Sequence, residues 1–342
     1  MKVLHLQRAI FLAGVLSLGL AAAPAWAQAP VERRTPGKPM ETLTLNSRLV
    51  TVAVNAVDGN GAPAGDLQKN DFRLLEDGKE QKVVYFDRQS STPLSIVMSI
   101  DTSDSALRFE RLEKQAARRF VSNVLRNGKA LKPSDQQGVS TPDELDLMQF
   151  ANSVRELVAF TSDKSQIDAG LGQLTRGEST AMYDAIFLAS QRLGETSAAG
   201  GRRRVLVLIT DGGDTVNDTT YEQALEQAQR AGVVIYPLII VPIYADAGRD
   251  TGGEHALIEL ARDTGGKYFY INGARDLGPA FEKVTDDLRT QYVLGYYAPE
   301  STAKSRSDGL RTLHIDVTDP TAAARVQLRY RGSYYASTVP TH

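Results

Sequence analysis

Short apolar runs alternate with amphipathic helical segments through the middle of the chain, and this pattern limits the possible folds more than any other feature. Strands that are apolar along their whole length must be buried on both faces, and helices between them provide that cover. The sequence therefore predicts an α/β domain with a doubly wound, mostly parallel sheet. The expected strands are Leu94–Asp101, Leu145–Ala151, Arg204–Asp211, Val233–Ile240 and Lys267–Ile271.

The helices that cover the two faces of the sheet are predicted from the helical periodicity of apolar residues. A first helix follows Asp101, because Phe109, Leu112, Ala116, Phe120 and Val124 fall on one helical face. The polar stretch Asn127–Glu144 lacks any period and is expected to be an exposed, dispensable loop. The other expected helices are Ser165–Leu174, Ala181–Leu193, Tyr221–Ala231, Glu254–Asp263 and Leu277–Leu288.

Alternating β segments flank this domain on both sides. Arg48–Asp87 contains one strand and a hairpin whose turn is Asp77-Gly78. Three further strand-like segments begin at Gln291, Leu310 and Arg325. Sheet edges are more stable when they are paired. We therefore expect the two sets of strands to form one smaller, discontinuous, β-sandwich-like domain.

The N-terminus predicts export. Lys2 and Arg8 flank an apolar run, Ala9–Ala23, which is followed by the small-residue site Ala25-Trp26-Ala27. We expect a cleaved signal peptide, a periplasmic or secreted protein, and no transmembrane segment in the mature chain, since no later apolar stretch reaches spanning length. The expected plan is a signal peptide at 1–27, a flexible linker at 28–46, a β unit at 47–90, the α/β domain at 91–290 and C-terminal strands at 291–342.

Oxygen-bearing side chains follow three of the predicted strand and helix boundaries. Asp101, Ser103 and Ser105 follow the first core strand, Thr180 precedes a helix, and Asp211 ends a later strand. Because the carboxyl ends of parallel strands meet at one edge of the sheet, we expect the three loops to converge. Hard oxygen ligands suit a divalent cation, with Mg²⁺ expected and Mn²⁺ or Ca²⁺ as alternatives. These side chains are too few to fill the coordination sphere of the ion, so one coordination position stays open to a carboxylate on a protein partner.

Charge and motif content argue against several other functions. The formal net charge is −2, and the only dense basic cluster is Arg202–Arg204, so we expect no nucleic-acid partner. Cysteine is absent, and only His255, His314 and His342 follow the signal peptide, which argues against a zinc site and against serine–histidine catalysis. Glycine-rich phosphate loops are also absent. We therefore expect no enzymatic activity.

Two alternatives stay open from these residues alone. A metal-assisted hydrolase would need a general base beside the ion, for which Asp104 and Glu178 are the candidates. A metal-free interaction scaffold would keep the same residues without binding an ion. Asp214 and Asp218 lie close to Asp211 in sequence, and we interpret them as loop acids or helix caps rather than ligands.

The order Asp101-Thr-Ser103-Asp-Ser105, then Thr180, then Asp211 resembles the metal-ion-dependent adhesion site of von Willebrand factor type A domains. TAMYDAIFLAS around Tyr183 and VLVLITDGGDT resemble the bacterial VWFA-related Acidobacterial domain family, and the flanking β segments extend the resemblance over about Arg48–Ala336.

The resemblance implies a Rossmann-like fold and a role in adhesion or protein–protein interaction. It also implies hydroxyl ligands from Ser103, Ser105 and Thr180, with Asp101 and Asp211 binding the ion directly or through water. Asp104 and Glu178-Ser179 depart from the small and glycine-rich residues usual there, and they add negative charge or bulk beside the ion.

Overall fold

The structure is a computed structural model, and it describes residues 48–88, 92–104, 110–125, 142–196, 202–216, 218–241, 250–298 and 309–336. The predicted signal peptide and linker lie outside the described residues. The strands are β1 Arg48–Asp58, β2 Phe72–Glu76, β3 Lys79–Gln81, β4 Tyr85–Arg88, β5 Leu94–Asp101, β6 Glu144–Phe150, β7 Val154–Thr161, β8 Arg203–Thr210, β9 Val233–Ile240, β10 Phe269–Ile271, β11 Tyr292–Ala298, β12 Leu310–Val317, β13 Val326–Arg329 and β14 Ser333–Tyr335. The helices are α1 Glu110–Val124, α2 Lys164–Leu171, α3 Met182–Glu195, α4 Tyr221–Ala231, α5 Thr251–Thr264, α6 Leu277–Arg289 and the short α7 Pro320–Ala323.

A six-stranded sheet forms the centre of the α/β domain, in the order β10-β9-β8-β5-β6-β7. All neighbours pair in parallel except β6 and β7. Every residue of β5 is buried, as expected for a strand with helices on both faces. The predicted doubly wound, mostly parallel α/β fold is confirmed.

Helices cover both faces of this sheet. Buried side chains of α1, α2 and α6 pack with Ile96, Met98 and Val207 on one face. Side chains of α3, α4 and α5 pack with Val97 and Leu206 on the other face. Neighbouring residues of one strand thus contact opposite helical layers, which explains why the core strands show no polar alternation.

The edge strand β7 was not predicted from the sequence. It pairs antiparallel with β6, and the register is interrupted between Leu145 and Met148. None of its residues is fully buried, and Arg155 and Glu156 interrupt the apolar pattern. The strand is held by backbone hydrogen bonds to one neighbour, so its side chains carry little of the periodicity that identifies buried strands.

The loop predicted at Asn127–Glu144 is described only from Pro142 onward. Glu144 is not a loop residue, because it begins β6 and pairs with Ser95. The Oδ1 atom of Asp143 accepts a hydrogen bond of 2.8 Å from the backbone N–H of Leu94. Any shortening of this loop should therefore stop before Pro142.

Two four-stranded antiparallel sheets form the second domain, and strands from both ends of the chain build each of them. Their orders are β13-β1-β11-β4 and β14-β12-β2-β3. Apolar side chains from both sheets, including Val52, Leu74, Leu294 and Ile315, are buried between them. The C-terminal strands thus pair with the N-terminal ones.

Two segments interpreted as continuous strands instead cross from one sheet to the other. The predicted Glu80–Asp87 strand divides into β3 and β4, which lie in different sheets. The predicted strand from Arg325 divides likewise into β13 and β14. At the expected Asp77-Gly78 turn, both residues have positive φ, 48° and 75°, as the tight hairpin between β2 and β3 requires.

The sandwich contacts the α/β domain through Asp287, near the C-terminal end of α6. Its carboxylate accepts hydrogen bonds from Asn55 on β1 at 2.9 Å and from Arg329 on β13 at 2.6 Å. The hydroxyl of Tyr236 on β9 donates to the same carboxylate at 2.8 Å. One half-buried acid therefore joins residues of both domains.

A fully buried acid, Asp146 on β6, predicts an unusual pH dependence of stability. Burial, followed by the hydrogen bond and negative charge of Glu156, raises the pKa of Asp146 well above its usual range, although Arg192 opposes this. The folded state therefore keeps a proton that the unfolded chain releases near pH 4. The free energy of unfolding should fall as the pH rises from about 4 through the raised pKa.

We expect Asp146→Asn to reduce this pH dependence, because an amide stays uncharged like the protonated acid. Denaturant unfolding of both proteins between about pH 4 and pH 8 would measure it. The matched control is Asp66→Asn, which changes an exposed acid. An Asp146→Asn profile as steep as that of the wild type would contradict the expectation.

Candidate metal site

The first loop of the candidate site begins at Asp101, the last residue of β5. Its side chain is 1% exposed, and both carboxylate oxygens accept hydrogen bonds. Oδ1 accepts from the backbone N–H of Ser103 at 2.9 Å, and Oδ2 accepts from the hydroxyl of Thr210 at 2.7 Å. These bonds fix the turn, and they place Ser103, also 1% exposed, directly beside Asp101.

The electrostatics of Asp101 favour a nearby positive charge. Its pKa is raised to about 6, with burial as the largest cause and the charge of Asp211 as a smaller one. Hydrogen bonds from Ser103 and Thr210 oppose the shift. Burial of one carboxylate near another is unfavourable unless a proton or a cation compensates it.

The second loop carries Thr180 and joins the first through backbone hydrogen bonds. Gly177 forms a parallel bridge with Ser103, and its N–H donates to the carbonyl of Thr102 at 3.1 Å. A Cβ on Gly177 would lie 2.5 Å from the Cβ of Ala151, so only glycine allows this approach. Thr180 itself is 4% exposed and immediately precedes Ala181, the N-cap residue of α3.

The third loop starts at Asp211, which directly follows β8 and is half-buried. Gly212 has a φ of 95°, a conformation that favours glycine. The N-terminus of α5 packs against this loop so closely that a Cβ on Gly253 would lie 1.7 Å from the carbonyl oxygen of Gly212. Two glycines thus determine where Asp211 lies.

The donor set fits a hard divalent cation. Asp101 and Asp211 provide carboxylates, and Ser103 and Thr180 provide hydroxyls, so all the candidate ligands are oxygens. Ser105, the fifth predicted ligand, lies outside the described residues. Within the described ranges, no three carboxylate or imidazole side chains form a group that could hold a metal. Hydroxyl oxygens are therefore needed to complete coordination here.

The rim of the site is acidic, as the sequence indicated. Asp104 follows Ser103 and Glu178 follows Gly177, and the bridge between Ser103 and Gly177 brings the two acids onto neighbouring loops. Both side chains are exposed. They add negative charge at the surface rather than in the buried part of the site.

Three further residues support the site, of which the sequence indicated only Asp214, as a loop acid or helix cap. Thr210 donates to Asp101, and only the register of β5 against β8 could have paired them. Asp214 caps α3, not the helix of its own loop. Thr215 exchanges hydrogen bonds with Thr180, although 35 residues separate them in sequence. Asp218 is exposed.

Comparison with known proteins identifies the family. The family model of the von Willebrand factor type A domain matches residues 95–283. No curated protein matches the chain.

Solved structures resemble the chain at low sequence identity. An aerotolerance-related membrane protein from Bacteroides fragilis NCTC 9343, with multiple mutations to serines, is 20% identical, covers 57% of this chain and 98% of its own, and has a TM-score of 0.41. The conserved hypothetical protein BatB from Bacteroides thetaiotaomicron is 20% identical over 56% of this chain and 98% of its own, with a TM-score of 0.40. The vWF domain of the type V pili tip protein Mfa5 from Porphyromonas gingivalis is 16% identical over 57% of this chain and 95% of its own, with a TM-score of 0.43.

The family match covers the whole candidate site. It includes Asp101, Ser103, Thr180 and Asp211, and it runs from β5 into α6. The match spans more than half of the chain, which therefore belongs to the von Willebrand factor type A domain family.

Proposed function

We propose that this chain is an exported interaction protein that binds a protein partner through a divalent cation. The main support is the meeting of three loops at the carboxyl edge of the sheet, with Asp101, Ser103, Thr180 and Asp211 as oxygen donors. Ser105 would add a third hydroxyl. A bound Mg²⁺ would supply one coordination position for a carboxylate of the partner.

The arrangement of the ligands supports a site in which the bound ion contacts a partner, rather than one that only holds an ion. Each carboxylate oxygen of Asp101 accepts one hydrogen bond, from Ser103 or Thr210, so Asp101 holds the loop and also places a negative charge beside the ion. Asp211 is half-buried and faces a less crowded environment. Two carboxylates with neutral hydroxyls leave a divalent cation close to neutral overall, so it keeps its attraction for an additional anion.

We further propose that the chain is not an enzyme. The hydrolase alternative needs a general base held beside an activated water, and its candidates are Asp104 and Glu178. Both are exposed at the rim, where bulk water competes for their hydrogen bonds. The same two acids bear on the choice of partner, because they repel an isolated carboxylate and favour one that has a basic neighbour.

Export remains part of the proposal and depends on the N-terminal sequence. Ala9–Ala23 and the following Ala25-Trp26-Ala27 carry this inference. In the described parts of the chain, no helix is both long and apolar enough to span a membrane.

The first test is calorimetric titration of the metal-free mature protein with Mg²⁺ and Mn²⁺. We expect one ion per chain. Adding short peptides that carry Glu, with and without a neighbouring Lys, should then reveal metal-dependent binding that favours the Lys-containing peptide. Peptide binding that persists in chelator would favour the metal-free scaffold instead, and absence of any ion binding would contradict the proposal.

A further inference from the structure

We propose that Asp214 and Thr215 are positioning residues for Thr180, because they hold the Thr180 loop and the Asp211 loop together as one unit. The inference rests on the proposed function only where it concerns metal affinity. The contacts themselves are described by the structure and do not depend on that function.

Helix α3 lacks a cap from its own sequence. Its N-cap residue is Ala181, whose side chain cannot accept a hydrogen bond, and alanine is among the poorest N-cap residues. The first backbone N–H groups of a helix need partners outside it. Asp214 provides them from another loop, because its Oδ1 atom accepts from Met182 N–H at 2.7 Å and from Tyr183 N–H at 3.2 Å.

Thr215 holds the backbone of Thr180 on both sides. Its hydroxyl oxygen accepts a hydrogen bond from the N–H of Thr180 at 2.8 Å. Its own N–H donates to the carbonyl of Thr180 at 2.8 Å, and the N–H of Val216 donates to that carbonyl at 3.3 Å. Both backbone polar groups of Thr180 are therefore bound by the loop that begins at Asp211.

These contacts fix the relative positions of two candidate ligands. Asp214 and Thr215 lie three and four residues after Asp211, so a shift of that loop must also move Thr180. A second contact strengthens the link, because the hydroxyl of Thr219 donates to the carboxylate of Asp184 in the first turn of α3. With its backbone held, Thr180 can move its hydroxyl only by rotating the side chain.

The test uses paired substitutions that remove or keep the hydrogen-bond acceptor. Asp214→Ala removes the cap, whereas Asp214→Asn keeps an acceptor oxygen, and asparagine caps helices about as well as aspartate. Thr215→Val and Thr215→Ser form the second pair. Two quantities are measured, namely amide hydrogen exchange at Met182 and Tyr183 without metal, and the Mn²⁺ dissociation constant.

We expect Asp214→Ala to speed exchange at both amides and to weaken Mn²⁺ binding about tenfold, which is typical for residues that orient a ligand. Thr215→Val should also weaken Mn²⁺ binding, whereas Asp214→Asn and Thr215→Ser should stay within about threefold of the wild type.

Three results would overturn the inference. Unchanged exchange in Asp214→Ala would show that the cap is not formed. Unchanged Mn²⁺ affinity in Asp214→Ala and Thr215→Val would show that Thr180 needs no positioning. An Asp214→Asn variant as weak as Asp214→Ala would assign the effect to the charge. A wild-type protein without Mn²⁺ binding would contradict the proposed function instead, while the exchange data would still test the cap.

Discussion

Replacing Asp211 with alanine should weaken Mg²⁺ and Mn²⁺ binding by at least about 100-fold, since loss of residues that only orient a ligand already costs 10- to 100-fold. The fold should tolerate this change. Asp211 is half-buried, and the hydrogen bond that its side chain accepts from Gly213 N–H is long, at 3.4 Å. Calorimetric titration with each ion measures the affinity, and denaturant unfolding measures the stability.

Asp101→Ala should also abolish ion binding, but at a cost to the fold. It leaves the hydroxyl of Thr210 and the N–H of Ser103 without their acceptor, which costs about 1–3 kcal/mol for each buried group. Unfolding should stay cooperative. The control is Asp218→Ala, which removes an exposed acid from the loop of Asp211. Equal ion affinity in Asp211→Ala and Asp218→Ala would contradict the assignment of Asp211.

Gly253→Ala should lower the free energy of unfolding by about 3 kcal/mol, the upper end of the usual overpacking cost. The added Cβ would lie 1.7 Å from the carbonyl oxygen of Gly212 and 2.7 Å from its carbonyl carbon. Both are backbone atoms, so no side-chain rotation can relieve the collision. The loop must move, and Asp211 moves with it, so ion affinity should fall as well.

The neighbouring glycine provides a matched control. A Cβ on Gly252 would have as its nearest neighbour a carboxylate oxygen of Asp250, at 3.3 Å, and that side chain can adjust. Gly252→Ala should therefore change the free energy of unfolding by less than about 1 kcal/mol. Denaturant unfolding of both variants compares them directly. Similar stability of the two variants would refute the close approach of α5 to Gly212.

The sequence predicted the α/β domain well because strands that are buried on both faces have a clear pattern of apolar residues. The strands β5 and β9 have the predicted bounds, since helices cover both of their faces and most positions carry an apolar side chain. β7 lacks this pattern because it lies at the edge of the sheet, where, among the described strands, it pairs only with β6 and its side chains are partly exposed. The two sheet crossings in the sandwich were missed for a related reason. Val83, which lies between β3 and β4, is buried. The alternation of polar and apolar residues therefore continues where the chain crosses from one sheet to the other.

The candidate site could be predicted only in part. Oxygen side chains at the ends of strands and the starts of helices are visible in sequence, which is why Asp101, Thr180 and Asp211 could be proposed as ligands. The residues that hold them were not visible, because their partners are distant along the chain. The contact between Asp214 and Met182 depends on where two loops meet, and local sequence suggests only that Asp214 caps some helix.

The antiparallel pairing of β4 with β11 has a consequence for how this protein could be divided. Arg88 pairs with Tyr292, so the chain enters and leaves the α/β domain at adjacent positions of one sheet. The α/β domain is thus an insert between two hydrogen-bonded neighbours. A short hairpin turn in its place would keep the pairing of β4 with β11, but it would remove Asp287 and Tyr236, the partners of Asn55 and Arg329 across the two domains.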